Sequence, residues 1–276
     1  MLALASIFYR IKKKKEIYFY WENDMWKNIR IAILLVVLLV VAVNAYRDQN
    51  QDWNQPIHIL LHPINADGLA TTQQYIQQLQ QDDFAEVKQY LEKNSQQYRG
   101  QSSYFMIQIG RELQQAPPKM AEQPSILNNI LWSLKFRFYA WKQHQSVDGS
   151  PSLTLYLNYY DPKQRRELKH STALERGRIG SVNLFASPKQ AAQNNVVLVH
   201  ELLHGFGATD KYNLNNGEPI FPIGYAQADQ QPLYPQTEAE IMGGRIPLSE
   251  HKSKMPNDLN ETVINILTAR EVGWIK

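Results

Sequence analysis

Cysteine is absent from the chain, which rules out disulfides, thiolate nucleophiles and cysteine-ligated metals. Its absence is compatible with an oxidising compartment. A basic surplus is also missing from most of the chain. Of 29 Lys/Arg and 26 Asp/Glu, only seven and three respectively fall in residues 1–45. The remainder is therefore close to neutral and offers no electrostatic footprint for nucleic acid. No internal repeat is visible. The acidic residues Asp210, Glu218 and Asp229 follow no calcium-loop pattern and read as ordinary loop polarity. Histidine is scarce, with seven in 276 residues, so two of them placed four residues apart call for a reason.

Long apolar runs are missing with one exception. IAILLVVLLVVAV, residues 31–43, is thirteen residues without a polar side chain. A spanning helix wants about 20 apolar residues, whereas a signal-peptide core needs about 7–15. Lys27 and Arg30 precede the run, and Val43-Asn44-Ala45 supplies short side chains for a signal peptidase. Residues 1–45 therefore read as a leader cleaved after Ala45. An uncleaved anchor through residues 31–43, its basic end in the cytoplasm, is the alternative. Either way the body is expected outside the cytoplasm, periplasmic or secreted if cleaved and membrane-anchored if not. MWKNIR, from Met25, gives the leader normal proportions.

Residues 46–55 are polar and are expected to be flexible. Residues 56–64, 103–110, 152–161 and 180–187 read as strands. Thr72 is expected to cap a short helix carrying Ile76 and Leu79. Asp83 and Glu86 form a capping box for the next. Leu127, Ile130, Leu131, Leu134, Phe138 and Trp141 share one face of the longest amphipathic helix of the body. Residues 162–178 are charged and read as loop, and residues 211–240 form a long irregular segment of the kind that carries function. Asp258 and Glu261 begin a terminal helix with Val263, Ile264 and Leu267 on its apolar face. The order of elements predicts one α/β domain over residues 56–276.

VVLVHELLHGFGATDKY, residues 196–212, holds the two histidines. On a helix that follows Pro188, His200 and His204 stand one turn apart and point the same way. Two imidazoles so placed can chelate one zinc ion, which in a catalytic site needs a third ligand and one open position. Glu201 lies one step round the helix and can hydrogen-bond a water without being a ligand. Gly207 can take the left-handed conformation that ends a helix, and it lets Asp210 swing back as the third ligand. His251 is the rival for that place. A chance His-Glu-x-x-His in a chain of this length has a probability on the order of one in a hundred, and the added Gly207 and Asp210 lower it by roughly two further orders.

The run His-Glu-x-x-His-x-x-Gly-x-x-Asp resembles the motif of the metzincin zinc peptidases, in the snapalysin-type variant with aspartate as third zinc ligand. The resemblance implies a single α/β domain with a mixed twisted sheet, an active-site helix, a methionine turn and a C-terminal helix. AEIMGGRI places Met242 where that turn is expected. Some members have a tyrosine two residues after the methionine that helps bind the transition state. Here that position is Gly244, and Tyr212 or Tyr225 could supply the hydroxyl, or either could be a packed aromatic.

The implied activity is an exported zinc endopeptidase holding one catalytic Zn2+, with Glu201 as general base and a peptide or protein as substrate. Ser181, Asn183 and Phe185 are expected to lie on an edge strand along which the substrate extends. A zinc amide hydrolase acting on cell-wall peptides would use the same residues. A non-enzymatic zinc-binding protein would not need Glu201. The native precursor is expected to begin at Met25; an intact mass that includes residues 17–21 would contradict this.

Overall fold

Strands buried on both faces need largely apolar sequence rather than alternation, and two inner strands of the body's sheet are buried along nearly their whole length. The computed structural model describes residues 25–43, 46, 50–120, 125–143, 151–165, 167–168, 171–173 and 178–275. The chain divides into two units, Met1–Asp48 and Gln49–Lys276.

The first unit holds helix α1, Met25–Val43. Its 19 residues give a length of about 29 Å at 1.5 Å per residue. By length and composition α1 can be a signal sequence or a membrane anchor. It exceeds the thirteen-residue apolar run because Met25, Trp26 and Ile29 extend the helix backwards. Asn44 and Ala45, the expected cleavage position, lie outside the described residues.

The second unit is built on a five-stranded sheet of order β2-β1-β3-β5-β4. Its strands are β1 (Ile57–Asn65), β2 (Phe105–Ile109), β3 (Leu153–Tyr160), β4 (Thr172–Ala173) and β5 (Ile179–Phe185). All neighbours are parallel except β4, which runs antiparallel to β5. The sheet is therefore mixed, and the domain is α/β. The helices are α2 (Ala70–Gln77), α3 (Ala85–Arg99), α4 (Ile126–Lys142), α5 (Ala191–Gly205) and α6 (Ile266–Glu271). One face of the sheet presents Leu61, Leu155, Leu157, Val182 and Leu184 to Val87 and Leu91 of α3 and Val199, Leu202 and Leu203 of α5. The other face buries Ile64 and Tyr156 against Trp132 and Phe136 of α4. A two-stranded pair, β6 (Ala239–Glu240) and β9 (Thr262–Val263), and a hairpin, β7 (Ile246–Ser249) and β8 (Lys252–Lys254), complete the fold.

Several local expectations give way to packing. Thr72 lies inside α2, where its hydroxyl donates to Asp67, and Leu69 occupies the cap position. The capping box belongs to Gln80 and Asp83 at a 3-10 turn ahead of α3. The terminal helix is shorter than the sequence suggests. Asp258 caps a 3-10 turn, Thr262–Val263 pairs with β6, and Asn265 caps the six-residue α6. The β-branched Thr262, Val263 and Ile264 favour that pairing over helix. Part of the expected loop at 162–178 forms β4.

The strand expected to be an edge is covered. Ser181 pairs with Thr172 of β4, Asn183 N–H donates to the Ser171 hydroxyl, and Asn194 of α5 bonds both the N–H and the C=O of Phe185. The sheet therefore ends at β4, and β5 is not its edge strand. The alternation of side chains does hold, with Val182 and Leu184 buried and Ser181, Asn183 and Phe185 half-buried.

The segment read as flexible is anchored at Trp53. Its indole is 6 % exposed, packs on Phe206 and Trp274 with ring centroids 4.9 and 5.7 Å away, and donates to the Val272 carbonyl at 3.0 Å. Its polar neighbours hid it, because one large aromatic is enough to pin a segment. Trp53→Ala is expected to destabilise the body by about 3–5 kcal/mol, read as a lower urea midpoint at unchanged slope. An unchanged midpoint would mean that the segment is detached in solution.

Candidate metal centre

Helix α5 becomes apolar towards its carboxyl end, and burial of Val199, Leu202 and Leu203 in the core fixes its rotation. That rotation turns His200 and His204 towards a cleft of about 670 Å³. The helix then stops in a defined way. Gly207 has φ of 109°, its N–H donates to His204 O, and Ala208 N–H donates to Leu203 O. This is the paired bonding of a Schellman turn, which needs a left-handed residue and so favours glycine. The turn returns the chain, and Asp210 comes back beside the histidines.

Each imidazole is oriented from behind. His200 Nδ1 donates to the Ile241 carbonyl at 2.9 Å, and His204 Nδ1 donates to the Ala208 carbonyl at 2.8 Å. A carbonyl can only accept, so each Nδ1 carries a proton, and in the neutral imidazole each Nε2 presents a lone pair. Those atoms lie 3.0 Å apart. Asp210 Oδ1 stands 3.2 Å from His200 Nε2 and 3.0 Å from His204 Nε2. A tetrahedral zinc site with bonds of about 2.0–2.1 Å spaces its ligand atoms about 3.3–3.4 Å apart. Three electron-rich atoms at nearly that spacing repel one another unless a cation lies between them. The donor set therefore fits a metal ion. His200, Glu201 and His204 form a group that can hold one, their candidate ligand atoms all within 4.8 Å of one another. His204 and Glu201 are buried, whereas the Asp210 side chain is 30 % exposed on the cleft side.

The protonation of the cluster reflects the same attraction for positive charge. Burial pulls the His204 pKa down, but the bond to Asp210 and the charge of Glu201 raise it further, to about 9. Burial pushes the Asp210 carboxyl up, but the bonds from His200 and His204 hold it well below the usual carboxylate range.

The methionine turn lies directly behind His200. Met242 is fully buried, and the preceding Ile241 supplies the carbonyl that orients His200. Glu240 holds the turn, its carboxylate accepting from Met242 N–H at 2.7 Å, Gly243 N–H at 2.9 Å and the Thr268 hydroxyl at 2.6 Å. A Cβ on Gly243 would come within 2.4 Å of the Gly224 carbonyl, so the turn tolerates only glycine there. The loop of Asp210 is clamped from α6. Glu271 accepts from Thr209 N–H and its hydroxyl, and pairs at 2.7 Å with the buried Lys211. Lys211 N–H also donates to Met242 O.

Of the two tyrosines, Tyr212 lies at the cluster. Its ring is 6.2 Å from that of His200, its hydroxyl bonds Asp210, and burial with the nearby Asp210 and Glu201 charges raises its pKa. Tyr225 lies elsewhere, its hydroxyl 2.8 Å from that of Tyr234 and its ring against Phe221. It is a packed aromatic. His251 is exposed in the turn between β7 and β8, away from the cluster. Asn183 and Phe185 line the cleft, as do Val197, Arg245 and Met255.

Glu240, Glu271 and Lys211 escaped sequence reasoning. Only the position of Glu240, just before Ile-Met-Gly-Gly, hints at a role. No protein-family model matches the chain, and no curated protein matches it.

With a chelator present, the His204–Asp210 pair should set a stability window. The raised His204 pKa contributes fully below its unfolded value of about 6.5, and that contribution fades as pH rises through about 9. The lowered Asp210 pKa contributes above about 4 and is lost as pH falls further. The Tm of the chelated body should therefore be highest between about pH 4 and 6.5, and it should decline towards pH 9. A Tm that rises from pH 6.5 to 9 would count against the pairing.

Proposed function

We propose that this chain is a zinc endopeptidase of the metzincin type, with His200, His204 and Asp210 as metal ligands and Glu201 as general base. The observation that carries the reading is the convergence of two Nε2 lone pairs and one carboxylate oxygen, at 3.0–3.2 Å from one another, with a buried glutamate beside them on the cleft wall. A zinc ion held there supplies Lewis acidity toward a carbonyl and toward water. Glu201 lines the cleft next to the ligands. It takes the proton from the attacking water and delivers it to the leaving amine. Asp210 would hold the ion as an ionised carboxylate, since its carboxyl lies well below the usual range. Tyr212 sits where its hydroxyl can donate to oxygen charge developing on the substrate.

The substrate lies in the cleft, and β5 is not the edge of the sheet. The terminal strand on this side is β4, and the flanking Glu167, Leu168 and Ser171 line the same cleft. Asn183 and Phe185 contact the substrate through their side chains. The apolar helix α1 fits an exported protein, delivered by a signal sequence or held by an anchor.

Purified residues 46–276 should cleave unfolded casein and bind one zinc per chain. Glu201→Gln should retain the zinc and lose activity by about 10²–10⁴-fold. If both proteins bind zinc and neither cleaves casein or a library of cell-wall peptides, the centre is a binding site and the peptidase reading fails.

A further inference from the structure

Helix α4 is apolar on the wrong side. Its inner face is seated by Trp132 and Phe136, both buried, and by the bond from Trp132 Nε1 to the Pro118 carbonyl. Its outer face should therefore be polar. Instead Ile126, Leu127, Ile130, Leu131 and Leu134 are each 51–81 % exposed. Phe138 and Trp141 continue the same stripe at 63 and 72 % exposure, with ring centroids 5.7 Å apart. At 100° per residue these side chains fall within an arc of about 140°, opposite Trp132 and Phe136. The stripe expected from the sequence is present, and it faces away from the core. No other described residue covers it.

The charges on the helix indicate what does. Lys135, Arg137 and Lys142 are its only charged residues, and it carries no aspartate or glutamate. On the same wheel Arg137 lies about 20° inside one end of the apolar arc, and Lys142 and Lys135 lie about 20° and 40° beyond the other. A broad apolar face with aromatics, bordered by cations whose long stems can reach past it, matches a helix lying in a bilayer interface rich in anionic lipid. A second copy of the same face would set cation against cation. Among the described residues one helix, α1, is long and apolar enough to cross a membrane, which agrees with a membrane partner for α4.

We propose that α4 is a membrane-interface helix whose outer face inserts at the surface of an anionic bilayer. The proposal does not depend on the metal centre. It would hold the body at the lipid surface and restrict its work to molecules found there.

The absence of cysteine permits a direct test. Leu134→Cys in the full chain gives a unique thiol for a nitroxide spin label, and Leu214→Cys, on an exposed loop position, gives the control. Both are reconstituted in vesicles of phosphatidylcholine with phosphatidylglycerol, and the label's access to oxygen is compared with its access to a water-soluble nickel chelate. The Leu134 label should favour oxygen and the Leu214 label the chelate. Replacing Lys135, Arg137 and Lys142 by glutamine should weaken that preference by about fivefold per charge. A Leu134 label as accessible to nickel as the Leu214 label would overturn the proposal. So would spin–spin broadening at Leu134 without anionic lipid, which would identify a second copy as the occupant. Leu127→Cys repeats the measurement about two turns earlier on the same face, so one poorly behaved variant does not decide it.

Discussion

Two hydrogen bonds behind the imidazoles govern the centre. If Ile241 and Ala208 did not accept from the Nδ1 atoms of His200 and His204, the Nε2 lone pairs would have no reason to converge. Ala208 is in place because the Schellman turn at Gly207 puts it there. Ile241 is in place because Glu240 holds the backbone of the methionine turn. Asp210 is in place because Thr209 and Lys211, on either side of it, are both tied to Glu271. The cluster is three side chains, but its geometry rests on backbone carbonyls and on two buried or half-buried glutamates outside the motif. Groups that bond such side chains from behind set both their orientation and their basicity.

The centre was more legible in the sequence than the fold around it. His200, Glu201, His204, Gly207, Asp210 and Met242 were readable because their chemistry demands fixed residue types at fixed spacing. The structure brings His200, His204 and Asp210 into contact. The strands β1, β2, β3 and β5 were readable as apolar runs. Tyr225 was not separable from Tyr212 by sequence, since a phenol announces neither its partner nor its depth. The edge of the sheet was missed because β4 is two residues long and lies in a charged stretch. Asn194, which closes the rest of that edge, is an asparagine on a helix like many others. Trp53 was discounted for its polar neighbours.

At α4 the sequence marks an apolar stripe and leaves its direction open. A hydrophobic stripe shows that a helix has an apolar face but does not say which neighbour meets it. Here the opposite side also carries Trp132 and Phe136, so the helix has two apolar faces, and the smaller one docks on the sheet.

The clamp on Asp210 also imposes an order in time. Lys211 and its partner Glu271 are 60 residues apart along the chain. A ribosome that has just finished α5 has made both histidines, but nothing yet exists to pin the loop carrying the aspartate. Until α6 is synthesised and docked, the growing polypeptide holds a two-imidazole half-site, with the loop of its third member unsecured. The three-membered cluster is therefore assembled in two stages, the imidazole pair with α5 and the secured carboxylate only after the 60 intervening residues have been made and folded back.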